Sequence, residues 1–183
     1  MMRSKEGVAL LAGLGILFAA AGVLAHGGAT GIVKQRMDHM ETVGDAMKTL
    51  TAMMRGKLDY DAAEVRSLAG TIADHGGESL TELFPEGSLD KPTEALPAIW
   101  QDWDRFTDLA RQLTDYATAL VDAAGNDRPP VGSSGAMSGQ GMMMGETPAG
   151  PSVEHLSRMP PDAAFQHMAQ VCAACHQDFR KEK

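Results

Sequence analysis

Cysteine is almost absent from this chain of 183 residues: there are two, Cys172 and Cys175. A closed zinc site wants four ligands, and no second Cys-x-x-Cys supplies the other half. A thioredoxin-like redox pair would need strands alternating with helices, and no such alternation is present. A two-residue gap inside a helix is poor disulfide geometry. Positive charge is also scarce, with 16 Lys and Arg against 24 Asp and Glu and a formal net charge of −8. An acidic protein of this kind is a poor partner for nucleic acid or an anionic membrane surface. There is no internal repeat, and the length fits one domain.

What is present is Cys172-Ala173-Ala174-Cys175-His176. Cys-x-x-Cys-His is the pattern by which a c-type haem is attached, each sulfur adding to a porphyrin vinyl group and the histidine ligating the iron. On a helix the three residues stand at i, i+3 and i+4 and project from one side. The chain is therefore expected to carry one covalent haem c on Cys172 and Cys175, with His176 as the proximal iron ligand.

The N-terminus agrees with that chemistry. Arg3 and Lys5 precede a nearly unbroken apolar run from Val8 to Ala21, and Val23-Leu24-Ala25 offers a small-residue cleavage site. Residues 1–25 read as a signal peptide, with the mature chain starting near His26 and residing in a bacterial periplasm. The protein would be held at the membrane only if this segment were retained. Cleavage removes Arg3, Lys5 and Glu6 and takes the net charge from −8 to −9.

The rest reads as helix. Residues 26–127 carry three. In the first, from about Gly31 to Arg55, Val33, Met40, Met47 and Met54 recur every seven residues with Val43 and Leu50 between, as in a bundle seam. Asp61 and Glu64 resemble a capping box ahead of a second helix with Val65, Leu68, Ala69 and Ile72 inside, closed by His75-Gly76-Gly77 with a left-handed glycine at C′. Residues 78–94 are expected to be irregular. Pro97 opens a third helix with Ile99, Trp103, Phe106, Ala110, Leu113, Ala117 and Leu120 at alternating four- and three-residue steps, ended by Gly125-Asn126. Residues 128–160 lose all apolar period and read as a Gly-, Met- and Pro-rich connection. Its Met137, Met142, Met143 and Met144 could bind soft cuprous copper, but the lack of a regular Met-x-x-Met repeat favours a plain linker. Residues 161–183 form a fourth helix with Phe165, Met168, Cys172, Cys175 and Phe179 on the buried stripe. The fold class is all-α, an antiparallel four-helix bundle.

Taken in order, Arg36-x-x-x-Met40, Phe84-Pro85-x-Gly87-Ser88, Pro97-Ala98-Ile99-Trp100 and Cys172-x-x-Cys175-His176 followed by Phe179-Arg180 resemble the cytochrome c′ family, the class II c-type cytochromes. The long Met-rich connection departs from that pattern. The resemblance implies that Arg36 lies near a haem propionate and Arg180 beside the proximal histidine. It implies that the residue four after Arg36 faces the iron opposite His176. An apolar residue there leaves the iron five-coordinate and open to small gases, whereas methionine marks a low-spin branch in which sulfur ligates the iron. Met40 would then make a Met/His pair suited to electron transfer. Met37 is the fallback ligand, Met40 the alternative of a core methionine, and His39 is expected to point away into solvent. Trp100, Trp103 and Phe106 would line the haem pocket or pack in the core.

The leading expectation is thus an exported electron carrier, not an enzyme, that meets redox partner proteins. The alternative is a five-coordinate protein binding nitric oxide or carbon monoxide. A peroxidase is disfavoured by the want of a distal His with a catalytic Arg. Relatives that pair through their first two helices imply a homodimer.

Overall fold

The computed structural model describes residues 28–128 and 150–181. The expected signal peptide and the methionines at 137–144, with the copper reading attached to them, lie outside the described residues. Within these, seven helices follow in order: α1 (Gly31–Met54), α2 (Ala62–Asp74), α3 (Gly77–Thr81), α4 (Ala98–Gln101), α5 (Trp103–Ala123), α6 (Val153–Ser157) and α7 (Pro161–Phe179). The long ones, α1, α2, α5 and α7, make a four-helix bundle. Among the described residues there is no strand beyond one isolated bridge, Ala95 with Arg180. No helix among them is long and apolar enough to cross a membrane.

α5 is the centre of the bundle, packed against α2 on one side and α7 on the other, while α1 packs on α2. Its clean heptad explains this position, since Phe106, Ala110, Leu113, Ala117 and Leu120 are all buried. The capping signal at Asp61 is real: its carboxylate accepts from the N–H groups of Ala63 (2.7 Å) and Glu64 (3.2 Å).

Several details differ from the pattern reading. The buried face of α1 is Val33, Arg36, Val43, Ala46, Leu50 and Met53. Met40, Met47 and Met54 are only half-buried, and Met47 and Met54 line a groove shared with α7. The irregular stretch contains α3, nucleated on buried Leu80. The third helix is broken at Asp102 (φ −135°, ψ 61°), whose side chain caps α5 by accepting from Arg105 N–H at 3.3 Å. Trp103 therefore sits in the first turn of α5 and is exposed, not in the core. At the end of α2, Gly76 has an ordinary φ of −94° and Gly77 takes the left-handed one (+53°). Helix α6, with fully buried Leu156, lies in the stretch expected to be featureless.

Two anchors hold the chain on either side of residues 129–149. The Arg128 guanidinium clamps Asp162 through two bonds of 2.7 Å and lies 4.0 Å over the Tyr60 ring. Gly150, at φ +78°, passes so near the Tyr116 hydroxyl that no side chain fits there.

Candidate haem site

The motif residues lie in the last two turns of α7. Cys172 and Cys175 are free thiols, half-buried and packed against the core. Burial pushes both thiols up, Cys175 to about 11, with Cys172 and Asp178 adding to the shift and Arg105 opposing it. His176 is exposed, though partly desolvated. Desolvation there, and then the Arg180 charge, hold its pKa below the usual imidazole value, with Glu94 opposing. The ring is accordingly neutral near pH 7, the form that ligates a metal.

The first turns of α7 face the second half of α1 across a groove of about 650 Å³, which none of Cys172, Cys175 and His176 lines. Met47, Thr51 and Met54 form one wall and Phe165, Ala169 and Ala173 the other, with Asp162 at the Met54 end. Helical phase extends both walls. Met40 stands seven residues before Met47 and fourteen before Met54, and so shares their face; His176 stands seven after Ala169 and fourteen after Asp162. Met40 and His176 each lie fourteen positions, about 21 Å of helix, from the groove-lining Met54 and Asp162 respectively. Met37 shares the phase of Thr51 and lies toward the outer edge.

Arg36 supplies the clearest sign of a missing anion. It is 5% exposed, its guanidinium lies 4.7 Å over the Phe84 ring, and it bonds the Ser88 hydroxyl (3.3 Å) and carbonyl. Its Nε–H is buried with no hydrogen-bond partner. Desolvation lowers its pKa, opposed by Asp90. A buried guanidinium with an unused donor calls for an acceptor, and a haem propionate is one of the right charge. The donor set and the orphaned N–H fit a c-type haem.

The other predicted residues divide. Arg180 caps α7 and pairs with Glu94, its Nε 2.7 Å from the carboxylate, while Leu96 N–H donates to Phe179 O at 2.9 Å and Lys181 N–H to Glu94 O at 2.8 Å. Trp103 lies outside the groove. His39 is not solvated: it is half-buried against His75, Nε2 2.6 Å from the His75 carbonyl, so it caps α2. Ser88 and Glu94 were missed as partners. Ser88 stands in a quoted motif, but nothing local says which distant cation it meets. Among the described residues, no cluster of three or more His, Cys, Asp or Glu could hold a bare metal ion.

Comparison with known proteins now bears on this geometry. The family model described as Cytochrome C′ matches residues 31–141. The chain is 35% identical over 116 residues to a cytochrome c′ of Rhodopseudomonas palustris, covering 63% of this chain and 76% of that one. It is 28% identical over 153 residues to a cytochrome c-556 of Agrobacterium tumefaciens, covering 84% and 99%. Among solved structures, cytochrome c′ from Rhodopseudomonas palustris superposes with a TM-score of 0.61 at 28% identity over 85% of this chain and 99% of that one. A nitric oxide complex of a mutant cytochrome c prime from Alcaligenes xylosoxidans superposes at 0.56 and 21% identity, covering 82–83% of this chain and 94% of that one, which speaks for the fold alone. The fold and its site define a haem protein of the bundle type. The chain belongs to the cytochrome c′ family, and its cofactor is one covalently bound haem c.

Proposed function

We propose that the protein is an exported, periplasmic cytochrome c′ that binds nitric oxide or carbon monoxide, its haem bonded to Cys172 and Cys175 and its iron ligated by His176. The observation that carries this reading is that α1 turns methionines, Met47 and Met54, and no histidine toward the groove beside α7. Family membership supports it further. When bound, the haem supplies an iron that takes diatomic ligands and exchanges one electron. The chain's own residues do the rest. His176, kept neutral, presents a ring nitrogen; Arg36 offers its free N–H to a propionate; Arg180, held by Glu94, adds positive charge on the proximal side.

A second reading is favoured by one observation. Met40 falls in helical phase with the groove-lining Met47 and Met54, which supports its sulfur as the sixth ligand. In that form the protein is a low-spin electron carrier, not an enzyme, serving redox partner proteins. A homodimer through α1 and α2 is compatible with either.

Absorption spectra of the purified holoprotein, with and without carbon monoxide, test the choice. A high-spin ferrous spectrum that shifts on adding carbon monoxide is the expected result. A low-spin spectrum with a near-red sulfur-to-iron band, indifferent to carbon monoxide, would establish the second reading, and Met40→Leu should then restore gas binding.

A further inference from the structure

A second cleft opens beside Phe84. It measures about 420 Å³ and is walled by Phe84, Trp100 and Trp103, with Glu82 and Glu86 on its rim. Trp100 is fixed as a wall because its Nε1–H donates to the Phe84 carbonyl at 3.0 Å. Trp103 is different. It is 38% exposed, one of three large apolar side chains left open among the described residues. Its ring is thus partly open to solvent at the mouth of the cleft while its inner edge packs on Phe106.

Its inner edge leads inward through aromatic contacts. The Trp103 ring lies 5.4 Å from Phe106, and Phe106 meets Phe179 edge-on at 5.4 Å and Phe84 at 5.0 Å. Phe179 stands one turn beyond His176 on α7. An open indole on the surface is thus joined by two packed rings to the helix that bears the haem.

Charge says what would cover it. Glu82 and Glu86 are exposed and in no ion pair among the described residues, and Asp104 adds a further negative charge beside Trp103. Arg105, two residues along α5 from Trp103, is turned to Asp178 at 3.6 Å. Aromatic faces beside carboxylates attract a cation, by ring quadrupole and by charge together.

We propose that this cleft is the docking surface for a basic redox protein, whose lysine or arginine enters between Glu82 and Glu86 over the Trp103 ring. One electron leaves the reduced partner, which is oxidised by one, and passes to the covalent haem; the reverse transfer is equally balanced. No bond forms or breaks and no proton moves. The inference rests on the haem reading above but not on whether Met40 ligates the iron.

The test uses the holoprotein and mitochondrial-type cytochrome c, a basic redox protein, as the probe. Stopped-flow mixing in opposite redox states gives the exchange rate at low and high salt. Glu82→Gln with Glu86→Gln should slow exchange about three- to ten-fold at low salt and flatten the salt dependence. Trp103→Ala should slow it at both salts, and Asp45→Asn with Asp59→Asn, on the α1 side, should change neither. Titration with the probe should also broaden the Trp103 indole N–H resonance in the NMR spectrum, a readout independent of electron exchange. Variants that retain haem and carbon monoxide binding yet exchange at the wild-type rate and salt slope would overturn the docking site alone. Broadening confined to α1–α7 groove resonances would overturn it too. Wild-type protein purified without covalent haem would overturn the haem reading and this one with it.

Discussion

Gly76 and Thr114 touch where α2 ends against α5. A Cβ built on Gly76 would stand 2.9 Å from the Thr114 backbone nitrogen and closer still to its hydroxyl. That hydroxyl donates to the Ala73 carbonyl at 3.1 Å, so it cannot swing away without opening the end of α2. Gly76→Ala should cost about 1–3 kcal/mol by overpacking. Gly44, midway along α1 with nothing near its missing Cβ, makes the contrast. Gly44→Ala should add up to about 1 kcal/mol by helix propensity. Urea unfolding of both variants measures the two signs.

The Arg128–Asp162 clamp is nearly buried, with side chains 16% and 15% exposed. Replacing Arg128 by Met leaves the carboxylate without its bidentate partner and removes the cation from the Tyr60 ring. A loss of about 1–3 kcal/mol is expected, seen as a fall in Tm of several degrees. Arg158→Met, which removes an ion pair fully in solvent, should change Tm little.

The two thiols predict how haem-free protein behaves with pH. The folded Cys175 pKa, about 11, lies above its ordinary value of 9.0 because burial disfavours the thiolate. An acid whose folded pKa is raised lends stability that is whole below the unfolded pKa and is lost as pH climbs through the folded one. Haem-free protein should therefore lose stability between about pH 9 and 11, and a Cys175→Ser variant less so. Iodoacetamide should alkylate Cys175 slowly at pH 7 and faster across the same window.

The Arg36 charge should appear in the reduction potential. Reduction adds one negative charge to the haem, and a buried cation nearby favours that state. Arg36→Gln is expected to lower the potential by about 20–60 mV, the size of a partly screened interaction of about 0.5–1.4 kcal/mol. Spectroelectrochemical titration measures it. An unchanged potential would place the guanidinium away from the propionates.

What the sequence made legible follows the range of the forces involved. Helix phase is local, so α1, α2, α5 and α7 and their caps could be read from spacing, and so could the side of α7 that bears Cys172 and Cys175. The Asp102 break could not, because a capping carboxylate inside a continuous heptad looks like one more surface residue. Nor could the role of the Met40–Met47–Met54 stripe. Seven-residue recurrence marks a face but does not say whether a partner helix fills it, and here α7 stands back behind a groove. Arg36 with Ser88, and Arg180 with Glu94, join positions far apart in sequence that no local pattern connects.

The two anchors at Arg128 and Gly150 have a consequence for how this chain can change over generations. Each fastens its own side of the bundle, one through Asp162 at the head of α7 and one against Tyr116 on α5. Loop-closure entropy grows only slowly with length. Insertion or deletion between the anchors therefore leaves the register of α7, and the place of its Cys172–Cys175–His176 motif, as it was. The stretch between is free for evolution to rewrite at little cost to the cofactor, which gives a fixed bundle one place where novelty is cheap.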